Sequence, residues 1–509
     1  MTLTHIRLVL ISAILAAALS GPLAAEWTGA LEDKVRSWRE ANEQAIVDRF
    51  VQLLAIPNVA SDAMNIRRNA DYLVALFEAR GFETRLLTSD GPPAVYAERL
   101  AGDADRTLLI YIHYDGQPAN AADWASDPWT PVMRSAMVED GGEEVPIESP
   151  FDPEWRLFAR SAGDDKAPVI ALLSAIEALD SLGRPLGVNL KVFLEGEEEA
   201  GSPHLQDVLS ENRELLQADL WLFCDGPMHQ SRRLQLVYGV RGTYGFDVTV
   251  HGASRPLHSG HYGNWAPNPI AGLMALLLSM RDSAGNILVD RFLDEVVPPS
   301  QAELQAIENA PSVDKLMLDQ LAIAAPETDE RLEMAITRPA INFRGIRSGD
   351  VGEDARNAIQ VSATASVGLR LVAGQTLEHL REVIEAHIRG QGYQIVYAPP
   401  SRAERVEHGK IAELHWADNG YPAYRAPMDL PVARDVVKVL DEVSDEPLIE
   451  LPTMGGSLPI YLIAQEIGAP VLILPIANHD NNQHGKDENI RLQNLWDAIE
   501  IYAAVLTGL

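Results

Sequence analysis

The sequence predicts an α/β fold: a mostly parallel sheet with helices on both faces, into which an α+β domain is inserted. Short, almost continuously apolar runs recur along the chain and helical patterns follow several of them, which predicts the parallel sheet. In the middle of the chain the apolar spacing changes to partial alternation, which predicts the inserted antiparallel part. With 509 residues, 47% hydrophobic and 22% charged, the chain is long enough for two or three domains with cores of their own.

The first 25 residues precede this fold. An apolar run over residues 8–20 follows Arg7 and leads into the small-residue segment 21–25. A basic start, a short apolar stretch and small residues are typical of a secretory signal peptide, and the run is short for a bilayer span. We therefore predict a signal peptide over residues 1–25, a mature N-terminus near Glu26 and a periplasmic or secreted protein. A retained N-terminal anchor is the alternative.

Helices and apolar strands then follow in order along the chain. Apolar residues at helical spacing predict helices over residues 31–54 and 65–80, and Gly81 ends the second. The acidic, turn-rich segment 134–150 predicts a surface loop. The predicted parallel strands are 108–112, 190–194, 220–224 and 471–475, and the helices among them are 169–182 and 494–506.

The inserted domain is marked by two segments that partly alternate between apolar and polar residues. These segments, 236–251 and 361–372, flank a long acidic stretch with a helical pattern. We therefore predict an inserted domain over residues 240–405. The first domain is then split into residues 26–239 and 406–509.

The charge and cysteine content exclude several classes of function. The chain has 41 Lys and Arg against 73 Asp and Glu, a formal net charge of −32. So acidic a surface repels phosphate groups, which argues against nucleic acid or an anionic membrane as a partner. The single cysteine, Cys224, excludes an intrachain disulfide and a Cys-based zinc knuckle, and it ends an apolar run as a packing residue would. Any metal site must therefore use His, Asp and Glu.

Polar clusters follow the predicted parallel strands where each strand ends. His113 and Asp115 follow the first, the acidic segment 195–199 follows the second, Asp225 follows the third, and the segment 478–484 follows the fourth. Because the carboxyl ends of parallel strands form the ligand crevice of an open α/β sheet, we expect these residues to converge. Taken singly, such clusters are typical of turns or solvated faces. Their shared placement favours a common site.

The residue types in this crevice favour a metal site. Asp164 and Asp165 add a further pair just before a predicted helix, although such a pair alone is typical of a helix cap. Several carboxylates are costly to bury together unless cations neutralise them. Histidine and carboxylate ligands without cysteine suit zinc, with manganese or cobalt as alternatives. Alternate residues of an extended chain point the same way, so Asp115 can orient the imidazole of His113.

These segments occur in the order of a known family. The chain resembles the dinuclear-zinc aminoacylase/carboxypeptidase metallopeptidases, which include glutamate carboxypeptidase, succinyl-diaminopimelate desuccinylase, acetylornithine deacetylase and carnosine-type dipeptidases. The likeness is greatest to the dipeptidase branch and extends from about residue 40 to the C-terminus. The matching segments are 113–118, 161–166, 195–202, 257–260, 455–459 and 483–484.

The resemblance implies two divalent metal ions, zinc in the first place and manganese or cobalt otherwise. Asp164 would bridge the two ions. His113 and Asp225 would complete the protein ligands of one ion, and Glu199 and His484 those of the other.

The resemblance also implies catalytic roles beside the metals. Asp115 would orient His113, and Glu198 would be the general base that takes a proton from the attacking water. Gly201 and Ser202 set this register among three consecutive glutamates, because they follow the acidic pair in the family.

The inserted domain resembles the family's lid and dimerisation domain, so a homodimer is predicted. His258 would reach a neighbouring active site and stabilise the oxyanion, and Arg370 would clamp the substrate carboxylate. Asn357 and Ser457 match further substrate contacts. On the residues alone, His258 is typical of an exposed loop and Arg370 of an outward strand arginine.

The resulting prediction is a metal-dependent hydrolase that cleaves the amide bond of dipeptides or short peptides with a free C-terminal carboxylate. A deacylase of N-acyl amino acids is the first alternative, because both reactions attack an amide near a carboxylate. A non-catalytic periplasmic peptide-binding protein is a remote second. The complete set of ligands and the base Glu198 argue against it, since a pure binder needs no base.

Overall fold

The computed structural model describes residues 27–102 and 104–509. The predicted signal peptide, residues 1–25, and Glu26 lie outside the described residues. Among the helices of the described part, none combines the length and the apolar character that crossing a membrane requires.

The strands are numbered in chain order. They are β1 (Glu83–Leu87), β2 (Ala94–Arg99), β3 (Thr107–His113), β4 (Val132–Arg134), β5 (Glu144–Val145), β6 (Arg156–Phe158), β7 (Asn189–Glu195), β8 (Leu220–Phe223), β9 (Gln235–Val237), β10 (Gly239–Val240), β11 (Gly242–His251), β12 (Leu257–His258), β13 (Ala340–Arg347), β14 (Ala358–Ile359), β15 (Ser362–Leu371), β16 (Gln394–Val396), β17 (Ile411–Trp416), β18 (Tyr424–Arg425), β19 (Ile449–Leu451), β20 (Val471–Ile473) and β21 (Asn489–Arg491).

The helices are numbered in the same way. They are α1 (Gly29–Leu54), α2 (Ala63–Glu78), α3 (Lys166–Ser181), α4 (Leu205–Glu211), α5 (Ser259–Tyr262), α6 (Pro269–Met280), α7 (Gln301–Asn309), α8 (Asp314–Gln320), α9 (Leu332–Ala335), α10 (Leu377–Gly390), α11 (Arg402–Glu407), α12 (Pro431–Val443), α13 (Ile460–Glu466) and α14 (Leu492–Gly508). Short 3-10 helices cover Ala121–Asp123, Glu198–Ala200 and Gly352–Asp354.

The large sheet has the strand order β1-β2-β7-β3-β8-β20-β9-β19, and its central strands β7, β3, β8 and β20 run parallel. Alternate residues of β3 enter opposite cores: Leu108 and Ile110 face the side covered by α1, α3 and α14, whereas Leu109 and Tyr111 face the side covered by α4 and α13. Both faces of the parallel strands are buried, which explains their continuously apolar sequence. The predicted α/β class is confirmed.

Helix α3 begins directly after two aspartates of the predicted metal crevice. It is buried along most of its length and packs between α1 and α14. Asp164 and Asp165 stand directly before its first residue, Lys166, whose Nζ donates to the carbonyls of Leu53 and Ile56 at 2.9 and 3.0 Å. The aspartates are therefore anchored to a deeply buried helix of the first domain.

The inserted domain is built on a five-stranded sheet of order β13-β15-β11-β17-β16, antiparallel apart from the β16–β17 pair. Helices α6 and α10 contribute apolar side chains to its core, which also contains Phe246 and Val248 of β11. The α+β character predicted for this part is confirmed. Two short two-stranded sheets, β10–β18 and β12–β14, are separate from this five-stranded sheet.

The structure differs from the predicted return to the first domain at residue 406. Strand β17 pairs with β11 from Phe246 to His251, so the inserted sheet extends to Trp416. Residues 411–414 are all buried and do not alternate, so the sequence pattern did not mark them as part of an antiparallel sheet. In addition, α7 packs against β19, and Ala310 just after it joins the core of the large sheet. Part of the segment 240–405 thus lies on the first domain.

The predicted surface loop at 134–150 also contains regular structure. Strands β4 and β5 pair as a hairpin and join β6 and β21 in a small antiparallel sheet. Arg134 and Glu144 face each other across the hairpin at 2.8 Å. The acidic, turn-rich composition reflects an exposed hairpin rather than an irregular loop.

Candidate metal centre

Neighbouring parallel strands deliver the crevice residues. His113 is the last residue of β3 and is fully buried, and Asp225 lies two positions after β8. The 3-10 helix Glu198–Ala200 follows β7, and His484 lies in the connection between β20 and β21. Because the strands are adjacent and parallel, side chains that are far apart in sequence meet at one edge of the sheet.

Asp164 lies between the two histidines. Its Oδ1 is 2.8 Å from Nε2 of His113, and its Oδ2 is 3.2 Å from Nε2 of His484. His113 Nε2 is also 3.8 Å from Asp225 Oδ2, and His484 Nε2 is 3.1 Å from Glu199 Oε2. The structure thus brings together all five predicted ligands, with Asp164 in the position of a bridge.

Two groups of side chains can each hold a cation. The ligand atoms of Asp164, Glu199 and His484 lie within 4.8 Å of one another, as do those of His113, Glu198 and Asp225. Glu198, which was assigned as a base and not as a ligand, is therefore close enough to contact a cation as well. Oδ2 of Asp225 is buried without a hydrogen-bond partner among the described residues. Such an anionic oxygen is costly unless a cation pairs with it, so this donor set fits divalent metal ions.

Asp115 contacts both the imidazole of His113 and the backbone of the loop that carries Glu198 and Glu199. Its carboxylate accepts hydrogen bonds from the backbone N–H groups of Glu198 and Glu199 at 3.0 and 3.1 Å. Oδ1 of Asp115 also lies 3.4 Å from Nδ1 of His113. A carboxylate behind a ligand histidine fixes its orientation and raises its basicity. Asp115 is therefore a positioning residue for His113 and for the loop that carries Glu198 and Glu199.

The three consecutive glutamates point in different directions. The Glu197 carboxylate accepts from the backbone N–H of His204 at 2.8 Å and lies 2.9 Å from its Nδ1. Glu197 is thereby occupied outside the crevice, and Glu198 and Glu199 face inward. Gly201 ends the 3-10 helix at φ 87°, a left-handed conformation that favours glycine. The structure therefore places the glutamates in the register that the sequence segment predicts.

Burial and the crowded charges shift the protonation of the cluster. Burial raises the pKa of Asp225 to about 7 and holds the pKa of Glu198 well above its usual value. Hydrogen bonds with Asp164 and Glu199 raise the pKa of His484 to about 10. Burial opposes ionisation of Asp164, but hydrogen bonds with His113 and His484 outweigh it and lower the pKa of that carboxyl. Bound cations would favour ionised carboxylates and neutral imidazoles instead.

Glu488 is a supporting residue that the sequence did not reveal. This fully buried carboxylate accepts from the backbone N–H groups of Ser161, Gly163 and Asp164 at 3.0, 3.0 and 2.9 Å. It also pairs with Arg160 at 2.7 Å. Glu488 thus fixes the turn that carries Asp164. Its only sequence signal is its position four residues after His484, which does not distinguish it from a surface charge.

Two amides complete the surroundings of the carboxylates. Gln483 Nε2 donates to Asp164 Oδ2 at 2.6 Å, and Gln117 Nε2 donates to Glu199 Oε2 at 2.8 Å. Both glutamines lie inside segments that matched the family, so the sequence held a signal for them. They orient the oxygens that face the metal positions.

Arg370 and Ser457 lie at the same site. Arg370 Nη1 donates to Ser457 Oγ at 2.6 Å, and both residues line a cavity of about 520 Å³ together with Asp164, Glu198 and Asp225. This cavity is the space in which a substrate carboxylate can meet a guanidinium beside the metal crevice.

A second arginine near this cavity was missed by sequence reasoning. The guanidinium of Arg241 is buried, and its Nε and Nη2 have no hydrogen-bond partner among the described residues. Burial, together with the positive charge of Arg370, lowers the pKa of Arg241 to about 10. Two neighbouring cations favour an anion at this end of the site.

His258 and Asn357 are not brought to this site within one chain. His258 is an exposed residue of the β12–β14 ribbon, where it stands opposite Ala358, and the exposed Asn357 directly precedes β14. Nδ1 of His258 accepts from the N–H of Gly260 at 3.1 Å, and the carbonyl of Asn357 accepts from the N–H of Ser259 at 3.0 Å. Neither residue is among those that line the cavity. That His258 reaches the active site of a neighbouring subunit stays a prediction.

A split α/β domain whose strand ends hold this donor set defines a class of protein, the metal-dependent hydrolases of the metallopeptidase type. Residues 109–508 match the model of Peptidase family M20/M25/M40, and the chain belongs to this family. The resemblance inferred from the sequence motifs is confirmed.

Individual relatives agree with this assignment. The chain is 26% identical over 495 residues to Cys-Gly metallodipeptidase dug1 of Schizosaccharomyces pombe, covering 92% of this chain and 96% of that one. It is 27% identical over 430 residues to Beta-Ala-His dipeptidase of Homo sapiens, covering 81% and 76%. The crystal structure of the M20 family metallo-carboxypeptidase Sso-CP2 from Sulfolobus solfataricus superposes with a TM-score of 0.74 at 24% identity, covering 91% of this chain and 98% of that chain. The last comparison shows a shared fold.

Proposed function

We propose that the protein hydrolyses the peptide bond of dipeptides with a free C-terminal carboxylate. The observation that carries the proposal is the cavity shared by Arg370, Ser457, Glu198 and the metal crevice, since it places a carboxylate anchor beside a base. The relatives named as Cys-Gly and Beta-Ala-His dipeptidases support this choice of substrate. We infer two divalent ions, zinc in the first place and manganese or cobalt otherwise, because two groups of donors are present.

The chain's own residues account for substrate binding and proton transfer. When bound, the ions lower the pKa of a water molecule and polarise the scissile carbonyl. Glu198 accepts the proton of the attacking water and passes it to the leaving amine, and burial in the crevice raises the pKa of this carboxyl. The planar fork of Arg370 holds the substrate carboxylate, and the Ser457 hydroxyl orients that guanidinium.

A substrate series tests this proposal together with the deacylase alternative. We expect the protein to cleave alanyl-leucine much faster than its C-terminal amide or N-acetyl-leucine. Arg370→Ala should raise KM for alanyl-leucine about 10- to 100-fold, because charge-assisted hydrogen bonds to the carboxylate are lost, and should leave the amide unaffected.

Arg99→Ala is the matched control for this series, because Arg99 ends β2, pairs with Asp180 at 2.6 Å and does not line the cavity. Initial rates over a range of concentrations give kcat and KM for each pair. Faster hydrolysis of N-acetyl-leucine than of any dipeptide would instead establish the deacylase.

We further propose that the protein is a homodimer formed by the inserted domain. The outer face of α6 exposes Met274 and Leu278 at 48% and 68%, and Ile346 on the edge strand β13 is 57% exposed. An apolar helix face beside an unpaired strand edge favours a self-complementary contact. In such a dimer, His258 and Asn357 would contact the active site of the partner subunit.

Mixing two inactive variants tests the dimer and the role of His258. His258→Ala and Glu198→Gln should each be inactive alone. After subunit exchange, about a quarter of the wild-type activity should return, because half of randomly formed dimers contain one complete site. A mixture that stays inactive after exchange would contradict a contribution across subunits, and a monomeric mass in light scattering would contradict the dimer.

We also propose export to the periplasm or the exterior, on the composition of residues 1–25. N-terminal sequencing of the protein from its native host should begin near Glu26. A chain that starts at Met1 would contradict cleavage.

A further inference from the structure

Part of the wall of the 520 Å³ cavity is apolar and comes from separate segments of the chain. Met228 and Met454 line it from the first domain, and Leu332 and Ile336 line it from α9 and the residue after it. A Cβ at Gly226 would lie 2.6 Å from Cε of Met454, so the glycine beside the metal crevice makes room for this methionine. Methionine side chains form an adaptable, polarisable surface for an apolar ligand group.

The same cavity is lined by a buried polar pair. His229 and Glu333 are 3% and 4% exposed, and Nε2 of the imidazole lies 3.6 Å from Oε1 of the carboxylate. This distance is too long for a hydrogen bond, and both atoms lack any other partner among the described residues. A buried donor and a buried acceptor are thus left unpaired beside the apolar wall.

The neighbours of the pair define what each free atom offers. Nδ1 of His229 accepts from the backbone N–H of Ser231 at 3.2 Å and also lies 2.8 Å from its hydroxyl, so Nε2 is the ring nitrogen left to donate. Oε2 of Glu333 accepts from Nε of Arg331 at 2.7 Å, so Oε1 is left as an acceptor. A ligand group that accepts from His229 and donates to Glu333 would satisfy both.

His229 and Glu333 are held in place by contacts with the first domain. The Arg331 guanidinium, which holds Glu333, also donates to the carbonyls of Ile307 and Ala310 at 2.9 and 3.1 Å. This stretch packs against β19 of the large sheet, the sheet whose strand β8 leads into Asp225. The donor and the acceptor are therefore preorganised, which is the condition for selective recognition.

We propose that this subsite selects the C-terminal residue of the dipeptide, favouring a carbon-rich side chain that ends in a neutral group able both to donate and to accept a hydrogen bond. The phenol of tyrosine is the simplest example. The assignment to the C-terminal residue follows because Arg370, the proposed anchor of its carboxylate, lines the same cavity. The inference rests on the proposed dipeptidase function and adds its side-chain preference.

Two isosteric substrates test the inference. We expect kcat/KM for alanyl-tyrosine to exceed that for alanyl-phenylalanine about 10- to 100-fold, because only the phenol satisfies the buried pair. His229→Phe and Glu333→Met should each bring this ratio close to one while metal content stays unchanged. Having two variants protects the test if one of them fails to fold. His415→Phe, the same change at a 57% exposed position of the inserted sheet, should leave the ratio as in the wild type.

The outcomes distinguish a failure of the proposed subsite from a failure of the proposed dipeptidase function. Turnover of both dipeptides at equal kcat/KM, or a ratio that survives in both variants, would overturn the subsite and leave the dipeptidase standing. A preference for tyrosyl-alanine over phenylalanyl-alanine without one between the two alanyl dipeptides would overturn the assignment to the C-terminal residue. If no dipeptide in the series is cleaved, the proposed function and the subsite fall together.

Discussion

Replacing Glu198 by glutamine should lower kcat for dipeptide hydrolysis about 10³-fold or more and leave the metal content at the wild-type level. Glutamine keeps the size of the side chain, but it cannot take a proton from water. Burial raises the pKa of Glu198, which favours uptake of the water proton by the wild-type carboxylate. Steady-state kinetics and metal analysis of the purified variant check both parts.

The adjacent glutamate gives a matched control. Glu197→Gln makes the same chemical change one residue away, where the carboxylate faces His204 instead of the crevice. It should keep most of the wild-type turnover. Comparable activity in both variants would show that Glu198 is not the base. Loss of metal from Glu198→Gln would show that Glu198 is a ligand, which its position beside His113 and Asp225 makes a meaningful alternative.

Replacing Asp164 by asparagine should abolish activity together with metal binding. Its two oxygens lie 2.8 and 3.2 Å from His113 and His484, and an amide cannot offer two anionic oxygens to two positions. Even residues that only support a metal ligand change metal affinity about 10- to 100-fold, so a bridge should change it by more. Competition with a chelator of known affinity measures the loss.

Asp180→Asn is the control for this prediction, because Asp180 lies near the far end of the same helix α3 and pairs with Arg99 at 2.6 Å. It should bind metal as the wild type does. If Asp164→Asn retains both ions at wild-type affinity, Asp164 does not bridge them.

Local patterns predicted most of the first domain and the crevice. The apolar runs of β3, β7, β8 and β20 could be read because both faces of these strands are buried, and the polar residues that follow them marked the ligand edge. His113 and Asp225 were found in this way, and Asp164 was found in the acidic pair before a predicted helix. The roles of Arg370 and Ser457 came from the resemblance, since neither residue stands out in the sequence alone.

Features that depend on contacts between distant segments could not be predicted. Glu488 meets the turn of Ser161 and Asp164 only after the chain has folded, and His229 meets Glu333 across two segments separated along the chain. Strand β17 escaped detection for a different reason: its residues are buried in succession and show no alternation. In each case the deciding property is proximity or burial, which a pattern along the chain does not encode.

The dependence of hydrolysis on two divalent ions is measured by titrating metal-stripped wild-type protein with zinc while alanyl-leucine hydrolysis is followed. Manganese and cobalt are titrated in parallel to identify the effective ion. We expect no turnover in the stripped protein and activity that rises until about two ions are bound per chain. Full turnover by protein that holds no divalent ion would contradict this dependence.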